Sequence, residues 1–422
     1  MSQHTFKVVN LGCKLNFAEV STIARMLSKI GFTEVKANQV ADICVINTCA
    51  VTEHSEKKCR QLIRKIAKEN GDTIIALMGC YVALNPNKLK EMNEVAVVAQ
   101  QGDLINALLS HLKITNPYKG GEDPNFFEAY SFGGRTRSFL KVQDGCDYKC
   151  SYCTIPLVRG DSRNKPIENV IKQAKEIALL GVKEIVITGV NTGDFGKSTN
   201  ESFYNLMQEL ESIDGIERYR ISSIEPNLLT DEVIEFVAKS RKFLPHFHIP
   251  LQAGNNRILG LMRRRYKREV FADRIHQIKE KMPYAFTGVD VIVGFPTETD
   301  DEFIDTYYFL EQLLPSFLHV FPYSTRPNTI AAEMPQVQSK VITERAKKLG
   351  ELSSILHSKF YNQNIGRVSK VLFESTQKDG KMFGFTENYI RVQTDYNKAL
   401  INQIVEVELL SVVDNAMLCK LL

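Results

Sequence analysis

The stretch Asp144-Gly145-Cys146-Asp147-Tyr148-Lys149-Cys150-Ser151-Tyr152-Cys153 sets three cysteines in a C-x-x-x-C-x-x-C run. It follows Phe139–Val142, an apolar segment that reads as a β-strand. Thiolate is a soft ligand that suits iron–sulfur clusters or zinc. A structural zinc site takes four ligands, usually as two C-x-x-C pairs. Here a fourth local cysteine is missing and the spacing is not that of a zinc ribbon. Three thiolates can instead hold a cubane cluster and leave its fourth iron open to a substrate or a sulfur atom. A tight ligand loop directly after a strand fits the mouth of an α/β barrel, where the C-terminal ends of strands carry function.

Working outward, strand candidates recur at Glu184–Thr188, Tyr219–Ile221, Phe247–Ile249, Gly288–Val293 and Phe317–Phe321. Helical faces lie between them, such as Val170, Ile171, Ala174, Ile177 and Ala178. Six βα units predict a partial (β/α)6 barrel over residues 132–362, closed by a long charged helix near Val341–Tyr361. Upstream, Lys7–Leu11, Ile43–Ile46, Thr73–Met78 and Val95–Val98 alternate with helical patterns. Residues 3–115 therefore predict a doubly wound parallel α/β domain. Cys13, Cys49 and Cys80 each follow one of its strands, so the topology brings them to one sheet edge. On the residues alone they are either a ligand set or small hydrophobes at strand ends. Asn116-Pro117, Gly120-Gly121, Pro124 and Gly133-Gly134 read as an interdomain linker. Residues 363–422 change character: five short strands with turns such as Asp379-Gly380 predict a small antiparallel β-barrel.

The chain has 422 residues, 44% hydrophobic and 24% charged, which suits two or three globular domains. With 53 Lys+Arg against 49 Asp+Glu, any basic surface is local. Leu11-Gly12-Cys13 resembles a lipoprotein cleavage site, but Gln3, His4, Lys7 and Asn10 leave no apolar leader before it. No stretch is long and apolar enough for a membrane span. Nine cysteines without a secretory leader favour metal binding in a reducing cytoplasm over disulfides.

The cysteine run after the first strand of a six-strand partial barrel resembles the radical S-adenosylmethionine superfamily. Gly12-Cys13-Lys14-Leu15-Asn16, Asn47-Thr48-Cys49-Ala50-Val51-Thr52 and Met78-Gly79-Cys80 narrow the resemblance to the methylthiotransferases. So do Cys153-Thr-Ile-Pro-Leu-Val-Arg159-Gly160, His248-Ile-Pro-Leu-Gln252, Met262-Arg-Arg-Arg-Tyr266, Val293-Gly-Phe-Pro-Thr-Glu298-Thr299 and Phe321-Pro-Tyr-Ser324. Gly384-Phe385-Thr386-Glu387-Asn388-Tyr389 resembles that family's OB-like RNA-binding barrel, the TRAM domain. The resemblance implies two [4Fe–4S] clusters: one on Cys146, Cys150 and Cys153 that binds S-adenosylmethionine, and an auxiliary one on Cys13, Cys49 and Cys80 that presents sulfur. Cys44, Cys59 and Cys419 match no ligand position and are expected to be structural.

By the same resemblance, Gly189 and Asn191 follow the strand where the superfamily binds the methionine amine. Ser222, Ser223 and Glu225 follow the next strand and are candidates for ribose or carboxylate contacts; loop capping is the alternative. Arg159 is a candidate near the sulfonium or a partner of Asp161, and Gln252 is a candidate pointing into the barrel. Within Arg263-Arg264-Arg265-Tyr266-Lys267-Arg268, some side chains are expected on phosphates, others on a solvated face. Lys381, Phe383, Phe385, Tyr389 and Arg391 divide between barrel core and stacking on RNA bases.

The resemblance implies a cytoplasmic enzyme that methylthiolates C2 of a modified adenosine at tRNA position 37. The first two cysteine motifs favour the branch acting on N6-threonylcarbamoyladenosine. The other branches act on N6-isopentenyladenosine or on an aspartate of a small-subunit ribosomal protein; a non-catalytic iron–sulfur RNA-binding protein is the reading from another class. No side-chain general base is expected. The implied partners are the tRNA anticodon loop, an electron donor such as flavodoxin or ferredoxin, and a sulfur donor.

Overall fold

The computed structural model describes residues 4–50, 52–115 and 125–422. The first unit is a five-stranded parallel sheet: β1 (Thr5–Asn10), β2 (Thr33–Glu34), β3 (Ile43–Thr48), β4 (Ile74–Gly79) and β5 (Val97–Val98). Its spatial order is β2-β1-β3-β4-β5. Its helices are α1 (Lys14–Lys29), α2 (Glu53–Glu69), the short α3 (Cys80–Leu84) and α4 (Pro86–Lys90), and α5 (Leu104–His111). All six residues of β3 are buried because helices cover both faces. Val45, Ala76 and Met78 face α1 and α5, whereas Cys44, Ile46, Ile75 and Leu77 face α2 and α3. Strand β2 is absent from the sequence reading because Thr33 and Glu34 are exposed and carry no apolar pattern.

The second unit has six parallel strands, as expected: β6 (Ser138–Lys141), β7 (Glu184–Thr188), β8 (Arg218–Ile221), β9 (His246–Gln252), β10 (Phe286–Val293) and β11 (Phe317–Pro322). Two three-stranded halves meet through the bridges Tyr219–Phe243 and Ser223–His248. Strand alternation decides the lumen. Ile185, Ile187, Tyr219, Ile221, Phe247, Ile249, Val289 and Val291 join the core beneath the surrounding helices. The opposite face presents Lys141, Glu184, Arg218, Arg220, His248, Asp290 and His319, so the barrel interior is polar.

Helix α1 of the first unit lies against β6, with the Phe17 and Phe139 rings edge to face at 5.8 Å. Residues 125–137 differ from the expected free linker. Phe126, Phe127 and Ala129 are buried, Tyr130 bridges Leu140, and the Ser21 and Thr22 hydroxyls hold the Phe132 and Tyr130 backbone. This half of the segment is a strap along α1. The turn residues Asn116-Pro117, Gly120-Gly121 and Pro124 lie outside the described residues.

The third unit is a closed barrel of β12 (Val368–Lys378), β13 (Lys381–Thr386), β14 (Arg391–Asp395), β15 (Ile404–Val413) and β16 (Ala416–Leu421), ordered β12-β13-β14-β16-β15. It is not wholly antiparallel. The closing pair β14–β16 runs parallel, through Val392 and Gln393 against Met417 and Leu418. The helix Ser339–Asn362 joins units two and three: Leu349, Leu352 and Leu356 enter the barrel core, while Phe360 and Tyr361 enter the terminal core.

Candidate active site at the strand ends

The Cys146 loop leaves β6 through Gly145, at φ +70°, where a Cβ would sit 2.0 Å from the Asp161 carbonyl oxygen. Only glycine lets the chain pass there. The Cys146 amide donates to the Gly160 carbonyl (3.0 Å) and the Cys153 amide to the Cys150 carbonyl (3.1 Å), which curls the loop. Its sulfurs already accept from the protein: Tyr148 N–H on Cys146 Sγ (3.4 Å), Ile155 N–H on Cys153 Sγ (3.4 Å) and Arg264 Nη1 on Cys150 Sγ (3.3 Å). Such donors stabilise thiolate sulfur. Burial pushes the Cys146 thiol up to about 11 and the Cys153 thiol up to about 12, so thiolate charge here needs a bound cation. A curled three-cysteine loop with a protein donor on each sulfur fits a site-differentiated cubane.

Cys13, Cys49 and Cys80 lie directly beyond β1, β3 and β4, three neighbouring strands. Asn16 and Asn47 tie these strand ends together. Asn16 Nδ2 donates to Asn47 Oδ1 (2.7 Å), Asn47 Nδ2 donates to the Asn16 carbonyl (2.8 Å), and Cys13 Sγ reaches Asn16 Oδ1 (3.1 Å). Gly12 and Gly79 make room for this pair: a Cβ would lie 2.5 Å from Asn16 Cγ at Gly12 and 2.1 Å from Asn47 Oδ1 at Gly79. Cys13 touches solvent, yet surrounding protein raises its thiol pKa, the situation of a residue on a cavity wall. This set also fits a three-thiolate cluster. Cys44 and Cys59 lie in the apolar core under α2, and Cys419 packs against the terminal core.

Arg159 ends α6 (Ile155–Arg159), which begins two residues after Cys153. It pairs neither with Asp161 nor with solvent. Its guanidinium reaches Glu19 Oε1 (3.0 Å), Asp144 Oδ1 (2.9 Å) and Asn16 Oδ1 (3.3 Å), and it also hydrogen-bonds Cys80. Lys141 completes the group, 2.9 Å from Glu19 and 2.7 Å from Asp144. Burial alone would raise the Glu19 carboxyl, but Arg159 and Lys141 outweigh it and hold it at about 2. Asp144 is likewise held far below the carboxylate range against its burial, by Lys141 and Arg159. Both acids stay ionised, and the group locks the two cysteine sites to one another. In sequence, Glu19 shares a helix face with Val20, Ile23 and Leu27; an acid on an apolar face is the signal that marks it.

The remaining candidates gather at the ends of β7, β8 and β9. Both amide atoms of Asn191, Ser222 Oγ and Asp194 Oδ2 are buried without partners, which fits a polar ligand in this groove. Gln143 Oε1 accepts from the Asn191 backbone N–H (2.9 Å) and lies 2.9 Å from where a Gly189 Cβ would be. Ser223 gives its carbonyl to the Thr192 hydroxyl (2.7 Å), a loop-capping role. Glu225 pairs with Arg264, and so stands behind Cys150. Gln252, at φ +67°, lines a cavity of about 220 Å³ with Cys153, Asp290, Tyr323, Arg326 and Thr52 of the first unit.

The basic run divides. Arg264 turns inward, Arg265 donates to the Asp147 carbonyl (2.7 Å) over the Tyr148 ring, and Arg268 pairs with Asp305 (2.6 Å). Arg263 and Lys267 remain exposed. The terminal aromatics, expected to divide between core and stacking, are all engaged within the protein. Phe385 and Tyr389 stack on each other at 4.8 Å, with Arg137 over both and Arg220 over Tyr389, against the barrel. Phe383 is buried under Arg391. Interdomain packing has taken Phe385 and Tyr389, two of the residues with a candidate stacking role.

A polar six-strand barrel with a three-cysteine loop after its first strand defines a radical S-adenosylmethionine protein. The "Radical SAM superfamily" family model matches residues 140–310, and "Uncharacterized protein family UPF0004" matches residues 5–100. A cobalamin- and [4Fe-4S]-bound structure of the radical S-adenosylmethionine methyltransferase TsrM from Kitasatospora setae shares the fold at TM-score 0.57 and 14% identity, covering 79% of this chain and 77% of that one. Threonylcarbamoyladenosine tRNA methylthiotransferase MtaB of Bacillus subtilis is 38% identical over 416 residues, 95% of this chain and 92% of the relative. The Aquifex aeolicus MtaB is 35% identical over 91% and 95% of the two chains. The tRNA-2-methylthio-N(6)-dimethylallyladenosine synthase of Carboxydothermus hydrogenoformans is 29% identical over 97% of each. The chain belongs to the MtaB family of tRNA methylthiotransferases.

Proposed function

We propose that the protein methylthiolates C2 of N6-threonylcarbamoyladenosine at position 37 of tRNA, giving the 2-methylthio nucleoside. The observation that carries this is the identity to MtaB relatives over nearly the whole chain. Cys146, Cys150 and Cys153 would hold one [4Fe–4S] cluster and Cys13, Cys49 and Cys80 the other. When bound, the clusters and S-adenosylmethionine supply radical cleavage, methyl transfer and sulfur.

The chain's own residues do the rest. Asn191, Ser222 and Asp194 offer unpaired polar atoms to S-adenosylmethionine beside the Cys146 loop, with Gly189 leaving room and Gln143 setting the loop. Glu225 acts through Arg264, which steadies Cys150. Arg159, Glu19, Asp144 and Lys141 keep the two cysteine sets in register across the interface. Cleaving an aromatic C–H bond calls for no side-chain general base, and none is assigned. The terminal barrel and the exposed Arg263 and Lys267 offer RNA contacts around the anticodon loop. An electron donor of the flavodoxin or ferredoxin kind and a sulfur donor complete the cycle in the cytoplasm; no helix among the described residues is long and apolar enough to cross a membrane.

Nucleoside mass spectrometry of tRNA from cells with and without the protein tests the reading. Loss of the 2-methylthio group from N6-threonylcarbamoyladenosine alone is expected. Loss from the isopentenyl nucleoside, or no change, would sink it. In the reconstituted protein, Cys49→Ala should keep S-adenosylmethionine cleavage and lose thiolation, whereas Cys146→Ala should lose both.

A further inference from the structure

Three side chains in the barrel lumen form a donor set that neither cysteine site uses. His248, Asp290 and His319 stand on β9, β10 and β11, three neighbouring parallel strands. Asp290 and His319 are direct register partners, and His248 is the partner of Gly288, two residues before Asp290. Strand alternation therefore turns all three toward the lumen. His248 Nε2 is 2.6 Å from Asp290 Oδ1, and the His248 and His319 rings lie 5.0 Å apart, centre to centre. One donor atom from each of the three residues falls within 4.8 Å of the other two.

The surroundings suit a bound ion. A Cβ at Gly288 would lie 3.7 Å from His319 Nε2 and 3.0 Å from the Phe286 ring, so glycine keeps the space beside that imidazole free. The Phe317 ring meets His319 edge to face at 4.8 Å and holds its plane. Phe286 stacks on His246 at 5.2 Å and meets the Tyr389 ring at 5.6 Å, an aromatic floor to the lumen. On the open side, Asp290 lines the cavity of about 220 Å³. The lumen arginines are already neutralised: Arg137, Arg218 and Arg220 pair with Glu184, and Arg137 also with Glu374. Among the described residues Asp290 pairs with His248 and with no lysine or arginine.

A hydrogen-bonded histidine–aspartate pair needs no second imidazole beside it. Two imidazoles and one carboxylate on one side of an open space are the donor set of a mononuclear divalent metal centre with free coordination positions. An ion about 2.1 Å from each donor sets the donors about 3 to 4 Å apart. Side-chain rotation supplies the change, as the His248–Asp290 contact opens and His319 closes. Coordination through Nε2 leaves the His248 proton on Nδ1.

We propose that His248, Asp290 and His319 bind a divalent transition-metal ion of the Zn²⁺ or Fe²⁺ kind, separate from both cysteine sites, with its open positions toward the lumen cavity. The site goes beyond the methylthiolation reading and does not depend on it.

In the test, cluster-loaded protein is dialysed without oxygen against Zn²⁺, freed of excess metal by gel filtration and assayed for zinc and iron. The wild-type protein should retain about one zinc beside about eight irons per chain. X-ray absorption at the zinc edge should show nitrogen and oxygen donors at about 2.0–2.2 Å, with imidazole scattering and no sulfur at about 2.3 Å. His319→Gln and Asp290→Asn should each weaken zinc binding by more than the roughly 10- to 100-fold that loss of a group merely supporting a ligand costs, with iron unchanged. His276→Gln, at an exposed position of the helix Arg268–Lys281, should change neither metal. Wild-type protein that retains no zinc overturns the site and leaves His248 and Asp290 as a plain hydrogen-bonded pair. Sulfur in the zinc shell, or zinc held undiminished by both lumen variants, overturns it too. The absorption spectrum of the wild-type protein decides even where a variant fails to fold. None of these outcomes touches the tRNA reading, which nucleoside analysis tests by itself.

Discussion

At the residue scale, Arg159 is the side chain whose neighbours say most. It closes a buried group that spans two folding units, and its removal strands Glu19 and Asp144 away from water. Arg159→Met should destabilise the protein by roughly 3 kcal/mol, because breaking a buried pair leaves uncompensated charge while Lys141 still offsets part of it. Urea unfolding followed by circular dichroism measures this; the chain has no tryptophan to report it. Glu19 also sets an acid limit. Its folded pKa, about 2, lies below its ordinary 4.5. The stabilisation is therefore complete above about pH 4.5 and is lost as the pH falls through about 2. Glu19→Gln should flatten part of this fall. Clusters dissolve in acid in both proteins, so the difference between the two unfolding curves isolates Glu19. The Cys146, Cys150 and Cys153 set stood out as a candidate by its spacing, whereas Cys13, Cys49 and Cys80 needed the family resemblance to be singled out. Arg159's partners were not legible in sequence, since they come from residues 15 to 143 positions away.

At the element scale, two glycines and one cap carry predictions. Gly145→Ala forces a Cβ against backbone and into a left-handed conformation, costing about 1–2 kcal/mol for the conformation alone. Iron should drop from about eight to about four per chain, with the auxiliary set retained. Gly79→Ala should do the reverse, emptying the auxiliary set through Asn47. The helix Asp300–Leu313 starts with a capping box between Thr299 and Glu302. Thr299→Ala should cost about 1 kcal/mol with iron content unchanged, a control for general destabilisation. Most elements were legible because buried parallel strands are continuous apolar runs. The exceptions have physical causes. Strand β2 has no apolar residue, and the strap 125–137 reads as turns because its order comes from α1 and β6.

At the scale of the whole molecule, the terminal barrel is docked rather than tethered. Arg218 and Arg220 donate to the carbonyls of Lys370, Phe385, Thr386 and Glu387 at 2.8–3.3 Å, and His246 lies 4.6 Å from the Tyr389 ring. Arg220→Ala removes two of these bonds and the closest partner of Glu184. It should make residues 363–422 releasable by limited proteolysis while the first two units stay intact; an unchanged digestion pattern would show that the docking does not depend on it.

The sequence alone determined the fold class, the order of the strands along the chain and the positions of six candidate ligand thiols, because periodicity and cysteine spacing are local properties. Only the tertiary structure decided that Arg159 and Glu19 join the two cysteine sites, and that Phe385 and Tyr389 serve the barrel. Those facts depend on which buried charges meet across units, and charge pairing between distant segments leaves no period in the chain.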